Sequence, residues 1–141
     1  MTNPLIFSLL IGASAAIILL LGTVHLVYTF VGTRLHPREA SLIAQMQAVS
    51  PMLTRQTTIW RAWIGFNASH SFGAILFGLI YGFLALAHAD RLMRSTFLLT
   101  LGMLLLAGYM TLAWRYWFSI PFRGIVLSTL LYVAALITLC F

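Results

Sequence analysis

Lysine is absent from this chain, cysteine occurs once, at Cys140, and the only acidic residues are Glu39 and Asp90. A single cysteine excludes an intrachain disulfide and a Cys-x-x-Cys redox pair. Without lysine there is no Schiff-base nucleophile. No long apolar stretch contains a carboxylate, which removes paired-carboxylate catalysis and carboxylate proton relays. Neither a phosphate-binding glycine loop nor a dinucleotide fingerprint occurs. Four histidines, His25, His36, His70 and His88, are spread over three levels of the chain. No carboxylate or thiolate stands ready to complete a zinc site with them.

Charge itself is scarce. Only 7% of the 141 residues are charged and 62% are hydrophobic, whereas a soluble domain carries about 25% charged residues. The composition is that of a bilayer protein. Four apolar stretches approach the roughly 20 residues that a spanning helix needs, at about residues 5–30, 59–89, 96–114 and 122–141. The start, Met-Thr-Asn-Pro, has no basic region and is followed by a run too long for a signal core, so the first span reads as retained. The fold class expected is all-α: a single integral membrane domain built as an up-down-up-down bundle of four helices.

The net charge of +6 comes from eight arginines. They stand singly near the ends of spans, as membrane anchors do, and not as a nucleic-acid-binding patch. Arg34, Arg38, Arg55, Arg61, Arg115 and Arg123 belong to the first and third connections, against Arg91 and Arg94 on the other side. The positive-inside rule then places those two connections in the cytoplasm and both termini outside it. In the first connection Pro37 suits a helix first turn, and Leu42, Ile43, Met46 and Val49 follow at helical spacing. A short amphipathic helix is expected there, on the membrane surface or against the bundle. Ser50-Pro51 ends it and offers a possible start for the second span. Asp90 to Ser95 reads as a short turn, with Ser95 or Thr96 as N-cap of the third helix.

The second span carries the chemistry. Trp63, Asn67, His70, Ala74, Phe77 and Tyr81 follow steps of three and four residues and share one face. Gly65, Ser69 and Gly73 form a second stripe, and Ala74, Gly78 and Gly82 a third, both suited to close helix packing or to a homo-oligomer contact. Ser69 and His70 are adjacent, so they point about 100° apart and do not form a nucleophile–base pair. Asn67 and His70 are polar groups at membrane depth, where such groups mark function unless they simply join helices. A joining hydrogen bond of this kind contributes about 0.6 kcal/mol on average. His25, near the end of the first span, lies about 10 Å of helix from Gly32, and His70 about 14 Å from Arg61. The two imidazoles are therefore at similar depths.

The run Trp63-x-Gly65-Phe66-Asn67-x-Ser69-His70-x-x-Gly73, with Phe77-Gly78-Leu-x-Tyr81 after it, resembles a pattern in small, functionally uncharacterised bacterial four-span membrane proteins. That resemblance covers the second span and the overall size, and it implies an inner-membrane location without an activity. The length, basicity, span number and orientation are also similar to the membrane-associated eicosanoid and glutathione metabolism family. That family's second helix carries Arg-x-x-x-Asn-x-x-Glu followed by Pro. Here Asn67 takes the Asn position, His70 stands in place of Glu, the Pro is missing, and Arg61 lies six residues back. Six residues turn Arg61 about 120° away from Asn67, so the glutathione-binding face is not reproduced.

The reading that results is a non-enzymatic or accessory inner-membrane protein. Its polar site is formed by His25, Asn67 and His70, with Trp63, Phe77 and Tyr81 lining an apolar part. The site would take a lipid, a quinone or a pigment, and the scant extramembrane mass favours a larger membrane complex as partner. Two alternatives remain open on the sequence. One is a redox carrier with b-type haem between His25 and His70, Arg34 and Arg61 serving its propionates. The other is a glutathione-type transferase acting on lipophilic substrates.

Overall fold

A computed structural model describes residues 4–140, and it is helical throughout apart from the connections. The helices in chain order are α1 (Pro4–Phe30), α2 (Ala40–Ala48), α3 (Ile59–Ala87), α4 (Ala89–Arg94), α5 (Thr96–Tyr116) and α6 (Ser119–Ile137). Four of them, α1, α3, α5 and α6, are long and apolar enough to cross a membrane. The chain is an integral membrane protein with a short helix between its first and second spans. With 27 and 29 residues, α1 and α3 exceed the roughly 20 that a bilayer core requires.

Several expected boundaries move, for identifiable reasons. The first connection's helix starts at Ala40 behind the N-cap Glu39, so Pro37 lies before it and not in its first turn. Pro51 does not start α3. The carbonyl of Val49 instead accepts from the Ile59 amide at 2.9 Å, closing the segment between them into a loop. The Thr58 hydroxyl accepts from the Arg61 amide at 3.3 Å at the head of α3. Asp90 to Arg94 is helical, as part of the six-residue α4, and not a simple turn. Ser95 then caps α5, its hydroxyl accepting from the Leu98 amide at 3.3 Å. The last span begins at Ser119 because Pro121 fits a first turn, where its missing N–H has no intrahelical partner to lose. Phe141, the expected end of that span, lies outside the described residues.

The chain divides into two compact units. One comprises the chain up to Leu21 and from Ala74 onward; the other is Gly22–Gly73. In the first, segments of α1 and α3 join α5 and α6 around a core that includes Phe7, Ile11, Ile18, Phe77, Leu106 and Tyr132. Close approach is set by missing side chains. A Cβ placed on Gly78 would stand 2.5 Å from the Leu19 Cβ and 2.9 Å from the Ala15 carbonyl oxygen, so α3 rests on the backbone of α1 there. A Cβ on Gly102 would collide with the Tyr132 hydroxyl and the Tyr81 ring.

Polar groups inside this unit are paired with each other. Ser14 and Ser128 are fully buried. The Ser128 hydroxyl donates to the Ser14 carbonyl at 3.0 Å, so the Ser14 hydroxyl supplies the proton of the 2.8 Å bond between the two side chains. Large apolar side chains such as Phe72, Leu76, Phe83 and Leu86 are more than half exposed, as suits a surface solvated by acyl chains.

The stripe of Ala74, Gly78 and Gly82 is therefore a packing surface. The stripe of Gly65, Ser69 and Gly73 is not: all three residues are exposed, and a Cβ on Gly65 would meet nothing within 4 Å. Gly78→Ala is expected to lower the thermal unfolding midpoint in detergent, with a cost of about 1–3 kcal/mol from overpacking. Gly12→Ala, where a Cβ also meets nothing within 4 Å, should leave the midpoint unchanged or raise it through the better helix propensity of alanine.

Candidate functional site

The second unit holds the end of α1, the whole first connection and the first half of α3. Its geometry starts at Gly32, whose φ of +79° ends α1 in the left-handed region that suits glycine. The chain then turns at Thr33, whose carbonyl accepts from the His36 amide at 3.0 Å. Two tryptophans of α3 hold this turn. The Trp63 indole N–H donates to the Leu35 carbonyl at 3.3 Å, and the His36 ring stands edge-on to Trp60 with centroids 4.9 Å apart. On the α1 side, the Arg34 guanidinium donates to the Tyr28 hydroxyl at 2.7 Å and sits 4.6 Å from the centre of its ring. The connection is thereby clipped to the end of α1 and to the start of α3.

In the same unit His25, Asn67 and His70 come together. Asn67 Nδ2 donates to the Trp63 carbonyl at 2.8 Å. A backbone carbonyl only accepts, so this bond assigns the amide orientation and turns Oδ1 toward α1. His25 Nε2 lies 3.0 Å from that Oδ1 and must be the donor; Nε2 therefore bears a proton. The His70 ring meets the His25 ring edge-on, with centroids 5.5 Å apart and planes at 87°. All three side chains are partly buried. They lie five residues from the end of α1 and eight to eleven from the start of α3, about 8–16 Å into the helices.

Hydroxyl groups support the cluster from behind. Thr29 donates to the His25 carbonyl at 2.8 Å, and the fully buried Ser71 donates to the Asn67 carbonyl at 2.9 Å. Such back-bonding satisfies the hydroxyls within their own helices. The roles of Thr29 and Ser71 show in the sequence only as threonine or serine four residues after a site residue. That signal is too common to single them out.

The expected site is thus partly assembled. Trp63 takes part through its backbone carbonyl, while its indole clips the turn; the side chain remains 42% exposed. Phe77 and Tyr81 belong to the other unit. There they stack at 4.6 Å, the Tyr81 hydroxyl donates to the Leu98 carbonyl at 2.6 Å, and Tyr132 lies edge-on at 6.0 Å.

Bis-histidine haem does not fit this arrangement. Each imidazole must offer a nitrogen to one iron from opposite faces of a porphyrin. His25 Nε2 is instead engaged by Asn67, and the two rings touch edge to face and do not bracket a flat macrocycle. Arg61 is exposed at the head of α3. No group of three histidine, cysteine or acidic side chains comes together among the described residues.

Compared with known proteins, the chain matches no family model, no curated protein and no solved structure.

Replacing Asn67 by alanine removes the acceptor of the His25 proton. A double-mutant cycle of Asn67→Ala with His25→Ala, read by thermal unfolding in detergent micelles, should return a coupling of about 0.6 kcal/mol between the two side chains, and at most about 1.7.

Proposed function

We propose that this protein binds a lipid-soluble molecule with a hydrogen-bonding head group, of the quinone type, at the His25–Asn67–His70 cluster. The observation that carries this reading is the cluster itself: two imidazoles and an amide, held in fixed relation, half-buried within membrane-spanning helices. Polar side chains at that depth are costly, and a ligand that hydrogen-bonds them offsets the cost. Imidazole both donates and accepts, which suits the carbonyls of a quinone and the hydroxyls of its reduced form alike. Asn67 fixes the His25 tautomer and so presets which ring nitrogen is left for a ligand.

The surroundings suit such a molecule. Trp63, one turn before Asn67 on the same face, is 42% exposed, so an apolar tail arriving laterally through the bilayer meets aromatic surface. With no carboxylate or lysine in any span, the site carries no carboxylate relay or Schiff-base nucleophile, and the role we favour is that of a carrier or an accessory subunit. The excess of arginine in the first and third connections supports a bacterial inner-membrane orientation with both termini outside the cytoplasm.

Calorimetric titration of a short-chain ubiquinone analogue into protein-loaded nanodiscs is expected to show one saturable site above the partitioning seen in empty discs. His70→Leu should weaken that site about three- to tenfold, the worth of one hydrogen bond. Partitioning identical to that of empty discs would contradict the reading, as would a Soret band in the purified protein.

A further inference from the structure

The turn after α1 holds a second set of polar groups that the His25–Asn67–His70 cluster does not use. Between this turn and the head of α2 opens a recess of about 480 Å³, lined by Thr33, Arg34, His36, Arg38, Ala40 and Ile43 among others. We infer that this recess binds the phosphate of an anionic phospholipid.

Three observations carry the inference. The first is charge: Arg34 and Arg38 both line the recess, while the neighbouring carboxylate of Glu39, which is outside that lining, accepts a hydrogen bond from the Ser41 hydroxyl. The second is preorganisation. The Gly32 turn, the Trp63 clip on Leu35 and the Trp60 contact with His36 fix the backbone. Arg34 is held against Tyr28 by a ring contact and a single bond. That bond uses one of the five guanidinium donors, so the fork retains donors for an anion.

The third observation is apolar surface at the rim. Phe30 and Val31 are each 64% exposed, Leu42 is 44% exposed, and α2 has no buried residue at all. A free phosphate would satisfy the arginines and leave this surface in water. A phospholipid satisfies both, with its head in the recess and its acyl chains against Phe30, Val31 and Leu42. A zwitterionic lipid brings a choline cation toward two arginines, so the site favours an anionic head such as phosphatidylglycerol. Basic side chains at a membrane surface each contribute about fivefold to such binding.

The test uses the full chain in nanodiscs of mixed phosphatidylglycerol and phosphatidylcholine, followed by native mass spectrometry of the lipids retained in detergent. The wild-type protein should retain phosphatidylglycerol preferentially. Arg38→Gln, which leaves the Arg34–Tyr28 contact in place, should lose about fivefold of that preference, and Arg34→Gln/Arg38→Gln about 30-fold. Arg91→Gln/Arg94→Gln removes the same charge from α4 and should change nothing. Retention unaffected by Arg38→Gln, or equally reduced by the α4 pair, would overturn the assignment. So would calorimetric binding of inorganic phosphate to the detergent-solubilised protein with no lipid preference, which would make this a free-anion site. His70→Leu and Asn67→Ala leave the recess intact and should leave lipid retention unchanged, so the fate of the quinone site is read separately.

Discussion

The hydrogen bond from His25 to Asn67 is the interaction on which the geometry of the polar cluster depends. Within the hydrocarbon there is no water to which a stranded imidazole or amide can turn. Each of these two side chains requires the other, and the pairing fixes a donor, an acceptor and a tautomer in one step. It forms because Gly32 turns the chain sharply and Trp63 and Trp60 hold the turn against α3. Those contacts and the His25–Asn67 bond join the end of α1 to the first half of α3 within this unit. His70 follows from the helix period, three residues beyond Asn67 on the same face.

The other unit obeys the same constraint through different means. Lipid chains are as apolar as leucine, so burial of leucine contributes little to joining helices in a bilayer. Close approach and satisfied polar groups take its place. Gly78 admits the backbone of α1, Gly102 makes room for Tyr132 and Tyr81, and Ser14 and Ser128 complete each other's hydrogen bonding. The tyrosine hydroxyls end on carbonyls of α5: Tyr81 on Leu98 and Tyr132 on Leu99. A hydroxyl on a neighbouring helix thus ties α5 to both α3 and α6 near its first turn.

Much of this was legible in the residues, and the limits are physical. Hydropathy alone marks four spans, because no other structure hides about 20 consecutive apolar residues. Helix ends were less clear: α4 is too short to show a period, whereas Ser119-Ile-Pro121 does mark the start of the last span. The depth match of His25 and His70 followed from the rise per residue, but helix rotation did not, and the partner that actually engages His25 Nε2 is Asn67. Phe77 and Tyr81 share a face of α3 with His70 in the sequence, and the structure stacks them on each other within the first unit. The two small-residue stripes of α3 look alike as strings; only packing shows that Gly78 touches α1 while Gly65 stands open.

At the centre of the cluster His25 offers its Nε2 proton to Asn67. The most direct measurement is solid-state ¹⁵N NMR of histidine-labelled protein in lipid bilayers, with His25 assigned by its loss in His25→Ala. The account predicts that the His25 Nε2 resonance lies in the protonated, hydrogen-bonded range and moves when Asn67 is replaced by alanine. A His25 ring protonated only at Nδ1, or one indifferent to Asn67→Ala, would contradict it.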